Sequence, residues 1–142
     1  MYPHWRKTPE NEAEWLETLA NLARFLRGPE GCPWDREQGS AEFAGFTAEE
    51  TRELIEAIEK DDDRHVQEEL GDVLFCVLAA IAAAEEEGRA NLRDCLEQIH
   101  AKMIRRHGHV FGEWDAASPE DAVHVWNSIK AEEKRERESR DA

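Results

Sequence analysis

Two acidic pairs carry the clearest chemical signal in this chain of 142 residues: Glu50 with Glu53 inside Glu49-Glu50-Thr51-Arg52-Glu53, and Glu69 with Asp72 inside Glu69-Leu70-Gly71-Asp72. Each pair is spaced i, i+3, which on a helix puts both carboxylates on one face with Cβ atoms about 5–6 Å apart. Two such helices packed antiparallel aim four acids at one point. Two ionised carboxylates about 5 Å apart repel by about 3 kcal/mol at an effective dielectric of about 20, so the gathering calls for a cation. An all-oxygen donor set without cysteine suits Mg²⁺ or Mn²⁺ better than Zn²⁺.

The elements that position these acids are read from apolar periodicity. Thr8-Pro9 reads as N-cap and first position of a first helix, whose stripe Trp15, Leu16, Leu19, Leu22, Phe25 and Leu26 ends at Gly28. Pro29, Gly31, Pro33 and Gly39 then break the pattern around Cys32-Pro33-Trp34-Asp35, which predicts an ordered loop. The second helix is expected over about 47–60, with a start as early as Ser40 also compatible with the pattern. After the turn-like Asp61-Asp62-Asp63, a third helix runs to about Glu87, with Val66, Leu70, Val73, Leu74, Val77, Leu78 and Ile81 inward and Gly88 closing it. Asn91 with Asp94 caps a fourth helix to about Arg106, carrying Leu92, Leu96, Ile99 and Met103. Ser118-Pro119-Glu120-Asp121 opens a fifth helix with Val123, Val125, Trp126 and Ile129, which dissolves into the charged tail after Glu132. No useful length alternates with period two, so the fold class is all-α.

The acids also have simpler readings. Thr47-Ala48-Glu49-Glu50 matches a capping box, in which Glu50 serves only the helix terminus, and Glu53 and Glu69 could be ordinary solvated charges. Asp72 resists that reading, because it lies beside Val73-Leu74 where an unpaired acid is costly. Gly71, mid-helix, costs about 1 kcal/mol relative to alanine and points to close approach of a backbone or ligand. The basic counterpart is the run Lys102 to Phe111. Lys102 and Arg106, i, i+4, offer a point charge and a planar fork suited to phosphate oxygens, or else balance an acidic surface. Trp126 and Lys130 repeat the spacing: a stacking ring beside a cation, or a core tryptophan beside a surface one. His107 and His109 are assigned hydrogen-bonding or structural roles, since carboxylates are available for metal.

Composition bounds the partners. Lys and Arg total 18 against 33 Asp and Glu, a net charge of −15, which argues against a nucleic-acid backbone or an anionic membrane as main partner. The longest apolar stretch, Val73 to Ala84, is too short to span a bilayer, and the N-terminus lacks a signal peptide's apolar core, so a cytoplasmic protein is expected. Cys32, Cys76 and Cys95 lack CxxC spacing, which indicates neither a disulfide framework nor a zinc site. The length fits a single core and domain.

Together these segments resemble the MazG family of nucleoside triphosphate pyrophosphohydrolases. The resemblance rests on Cys32-Pro33-Trp34-Asp35-Arg36-Glu37-Gln38, the EExxE at Glu49 to Glu53, the ExxD at Glu69 to Asp72, the Lys102 to Phe111 run, and Trp126 with Lys130. It implies a helical bundle of about five helices completed by oligomerisation, as a homodimer or homotetramer, with residues 1–134 as the family domain and 135–142 as a charged tail. It also implies Mg²⁺-dependent hydrolysis of nucleoside triphosphates (NTPs), standard or modified, to monophosphate and pyrophosphate. By motif position, Glu50, Glu53, Glu69 and Asp72 hold the metal, and Glu49 is the base for the attacking water, with Glu53 also in the catalytic set. Lys102, Arg106 and Lys130 grip the triphosphate, and Trp126 lies against the base. Four positions depart from the family pattern: Gly39-Ser40 replaces Thr-His, Arg52 replaces an aromatic residue, and Gly108 replaces a proline between two histidines. Two other function classes fit less of the sequence. A redox di-metal bundle needs two Glu-x-x-His pairs, and the chain has one, Glu97 to His100. A non-catalytic nucleotide sensor or regulatory helical protein needs the pocket but not the full acid set.

Overall fold

The computed structural model describes residues 7–142, and the N-terminal residues read above for a leader lie outside them. The described residues form α1 (Glu12–Leu26), α2 (Pro33–Glu37), α3 (Ser40–Glu59), α4 (Asp63–Glu86), α5 (Leu92–Arg106), α6 (Gly108–Phe111) and α7 (Pro119–Asp141), with no strand among them. The all-α expectation therefore holds, with seven helices in place of about five. The chain divides into two compact units, Met1–Leu92 and Arg93–Ala142, described separately below.

In the N-terminal unit α4 packs against both α1 and α3. Adjacent residues on a helix point about 100° apart, so one helix can carry two apolar stripes. Leu78 and Ala82 meet Ala20 and Ala23 of α1, backed by Leu19, Phe75 and Leu92. Ala79 and Ala83 meet Phe43 of α3, backed by Phe46 and Ala80. Alanine on these faces lets the backbones approach closely.

The helix boundaries follow from local chemistry. Asn11, not Thr8, caps α1: its side chain accepts from the Glu14 N–H at 2.9 Å. The start of α3 is Ser40, the earlier of the two expected positions, because Glu42 reaches back to accept from the Gly39 N–H at 2.9 Å. Thr47 is consequently inside the helix, its hydroxyl donating to the Phe43 carbonyl at 2.8 Å, and the capping-box reading of Glu50 fails. Asp62 caps α4 by accepting from the His65 N–H at 3.2 Å, and Gly88 ends it with a positive φ of 71°, as expected.

The segment between α1 and α3 is ordered as expected but contains the short helix α2. Arg27 fastens it: Nη1 donates to the carbonyls of Asp35 and Gln38, each at 2.7 Å, and the same guanidinium pairs with Glu86 of α4 at 2.9 Å. Gly31 is required here, since a Cβ would fall 2.3 Å from the Leu26 carbonyl oxygen. Trp34 stacks on Phe46 and meets Phe43 edge-on, with centroids 5.6 and 6.1 Å apart.

In the C-terminal unit Ser118 caps α7, accepting from the Asp121 N–H at 3.1 Å with Pro119 in the first turn, as the sequence predicts. The helix does not dissolve after Glu132 but continues to Asp141. Glu133/Arg137 and Glu136/Arg140 follow the i, i+4 order that supports an exposed helix. Val125 and Ile129 are its buried positions. Gly108 sits under Trp114 and Ile129, where a Cβ would approach Trp114 Cδ1 to 2.7 Å.

One expected core face is not covered. Leu70, Leu74 and Val77, predicted inward, are exposed, Leu70 by 53%, as are Ile55 and Ile58 on α3. Periodicity identifies an apolar face but not what lies against it, and among the described residues of this unit α4 packs chiefly against α1 and α3.

Candidate functional site

Glu50 on α3 and Glu69 and Asp72 on α4 converge: one ligand oxygen from each lies within 4.8 Å of the others. Glu69 is the buried member, 4% exposed, whereas Asp72 is exposed, so the sequence-based ranking of the two is reversed. Glu53 lies outside this set of three and is exposed, near enough for its charge to act on Glu50. Glu49 is exposed on the same helix.

The electrostatics match the crowding. The Glu50 carboxyl is pushed up to about 7, first by its hydrogen bond with Glu69, then by burial, then by the negative charges of Glu53, Glu69 and Asp72. Near neutrality Glu50 therefore holds a proton that a cation could replace. The Cys76 thiol is also pushed up, by burial first and then by Glu50 and Asp72, which keeps it protonated and unreactive.

Two oxygens mark where a ligand fits. With both carboxyls ionised, Glu50 Oε2 and Glu69 Oε2 are buried without a hydrogen-bond donor, a costly state for a polar atom unless a shared proton or a cation satisfies it. The other oxygen of Glu69 is engaged, with His65 Nε2 at 3.0 Å from Oε1. The donor set is hard and all-oxygen, and the residues present fit a divalent cation of the Mg²⁺ or Mn²⁺ kind. The Gly71 expectation is not met within the chain, since a Cβ there would meet nothing within 4 Å.

The C-terminal unit holds the expected cationic residues. Lys102 is half-buried on α5, and Lys130 is exposed on α7. Arg106 donates to Glu133 through Nη2 at 2.9 Å, and its guanidinium carbon lies 5.0 Å from the centre of the Trp126 ring. Arg105 also binds Glu133. The Glu133 carboxyl is held below its ordinary range chiefly by the Arg106 hydrogen bond. Trp126 is half-buried and borders a cleft of about 380 Å³ with His107, His109, Ala122 and Val123. His107 meets Trp126 edge-on and donates from Nδ1 to the Met103 carbonyl at 2.6 Å, the hydrogen-bonding role expected of it.

Two residues escaped the sequence reading. His65 carried a usable signal, the i, i+4 spacing to Glu69 on the best-defined helix. Glu133 carried none, because its arginine partners lie 27 and 28 residues away.

Comparisons with known proteins bear on the same residues. A sequence model of the MazG nucleotide pyrophosphohydrolase domain matches residues 38–111. A nucleoside triphosphate pyrophosphohydrolase/pyrophosphatase MazG from Thermotoga maritima is 42% identical over 124 residues, 87% of this chain and 47% of that protein. A nucleoside triphosphate pyrophosphohydrolase from Escherichia coli is 41% identical over 120 residues, 84% of this chain and 46% of that protein. The chain thus spans about half the length of these two relatives. The crystal structure of a mazG-related protein from Thermotoga maritima superposes with a TM-score of 0.68 at 28% identity, covering 81% of this chain and 98% of that one.

Proposed function

The chain belongs to the MazG nucleotide pyrophosphohydrolase family, and from that premise we propose that it hydrolyses nucleoside triphosphates to monophosphate and pyrophosphate with Mg²⁺. The observation that carries the reading is the meeting of Glu50, Glu69 and Asp72 within 4.8 Å, with two buried carboxylate oxygens left unpartnered. The names of the Thermotoga and Escherichia coli relatives support it.

Glu50, Glu69 and Asp72 would hold the ion, with Glu53 adding charge from the next turn of α3. A bound Mg²⁺ supplies charge neutralisation on the phosphate oxygens and orients them for in-line displacement. Glu49 accepts the proton of the attacking water. The water oxygen bonds to the α-phosphorus, the α–β bridging bond breaks, and pyrophosphate leaves. By the family resemblance, Lys102 and Lys130 are the candidate cations for the phosphates. Arg106, engaged with Glu133, contributes there only by exchanging that partner or through Trp126, whose ring would stack on the base beside the cleft.

The uncovered Leu70, Leu74 and Val77 support assembly into a homodimer or homotetramer, because burying that stripe removes apolar surface from water. An NTP substrate and three free cysteines support a cytoplasmic setting, and none of the described helices is long and apolar enough to cross a membrane.

The test is pyrophosphate release from a panel of standard and modified NTPs, with Mg²⁺, with Mn²⁺ and with chelator. Turnover that needs a divalent ion and is lost in Glu50→Gln and Asp72→Asn supports the proposal. Wild type that releases no more pyrophosphate than those variants overturns it.

A further inference from the structure

We propose that His65 is a positioning residue that sets the orientation of Glu69 for metal binding, an inference that rests on the metal reading above. Glu69 is buried, one of its oxygens accepts from His65 Nε2 at 3.0 Å, and the other is buried without a partner. The terminal torsion of a glutamate is broad, so burial alone does not choose which way the carboxylate plane turns. A directional hydrogen bond to one oxygen does choose. With Oε1 tied to the imidazole, Oε2 is the oxygen left for the cation.

The helix start makes this alignment dependable. Asp62 accepts from the His65 backbone N–H at 3.2 Å, which fixes where α4 begins and places His65 one turn before Glu69 on the same face. An acceptor at Nε2 also selects the tautomer that carries its proton there.

A purely structural pair would behave differently. His65 is exposed, its side chain 48% so, and an i, i+4 pair on a helix surface adds only tenths of a kcal/mol to stability. Groups that orient a metal ligand, by contrast, change metal affinity when removed, by about 10–100-fold. Affinity and stability therefore separate the two roles.

The experiment titrates the full metal-free chain with Mn²⁺ by calorimetry, in the absence of nucleotide, for wild type, His65→Ala, His65→Phe and His65→Gln, with a melting curve for each. His65→Ala and His65→Phe should bind Mn²⁺ about tenfold more weakly or worse. His65→Gln, which keeps an N–H donor, should stay within about threefold of wild type, and all four should melt together. His65→Phe preserves ring bulk, so it carries the same expectation if the alanine variant unfolds. Wild-type affinity in both donor-less variants overturns the proposal, as does equal weakness in all three variants. Wild type that takes up no Mn²⁺ overturns the metal reading and this inference with it.

Discussion

Arg106 and Glu133 form a largely enclosed ion pair at 2.9 Å, with only 11% and 18% of their side chains exposed, and the arginine lies over the face of Trp126. The guanidinium is held from two sides before any ligand arrives. Glu133→Gln should therefore destabilise the protein by about 1–3 kcal/mol, the cost of leaving an enclosed donor poorly matched. Urea denaturation measures it. The sign with pH follows from the lowered Glu133 carboxyl: its contribution is present above the ordinary carboxylate range and is lost as pH falls through the depressed value below 4.5. The variant should show a shallower acid transition than wild type.

Glu50 works in the opposite sense. Its carboxyl is raised to about 7 in the folded chain from an ordinary value of 4.5, so between those values the native state holds a proton that the unfolded state has lost. Without metal, the melting temperature should fall as pH rises from 5 to 8, and Glu50→Gln should flatten that slope. Divalent metal affinity should rise over the same window, because the ion competes with the proton. Calorimetric titrations at three pH values check this.

The placement of the acids ranks their contributions. Glu69→Gln and Asp72→Asn each remove a member of the converging set, and each should weaken Mn²⁺ binding by tenfold or more, about 1.4 kcal/mol. Glu53→Gln removes a charge outside that set and should weaken it less. Equal losses at all three positions would restore the four-ligand arrangement expected from motif spacing.

The exposed stripe on α4 gives a prediction about assembly. Burying a leucine is worth about 1.5–3 kcal/mol, and in a symmetric pair the loss counts in both copies. Leu74→Lys should shift the protein toward the monomer by at least tenfold in concentration, read by light scattering after size exclusion. An unchanged mass would place the interface elsewhere.

The sequence makes some features readable and hides others for identifiable reasons. Helix α4, its cap region and its closing Gly88 are legible because a long apolar period dominates every competing signal. The short helices α2 and α6 are not, because Pro33 and Gly108 look like breakers until tertiary contacts such as Trp34 on Phe46 are known. The i, i+3 spacing of the acids brings Glu50, Glu69 and Asp72 together as read. It cannot tell that Glu53 falls outside, since that depends on how α3 is rotated against α4. Leu70 and Leu74 show the same limit: one face of a helix is apolar in the sequence whether its cover comes from the same chain or from another.

Arg27 has a consequence for how this protein can adapt. One side chain bolts the carbonyls of Asp35 and Gln38 to the far end of the helix that carries Glu69 and Asp72. The segment it fastens cannot swing as a hinged flap without first surrendering those bonds. Divergence toward new ligands is therefore channelled into exchanging side chains on a stationary frame.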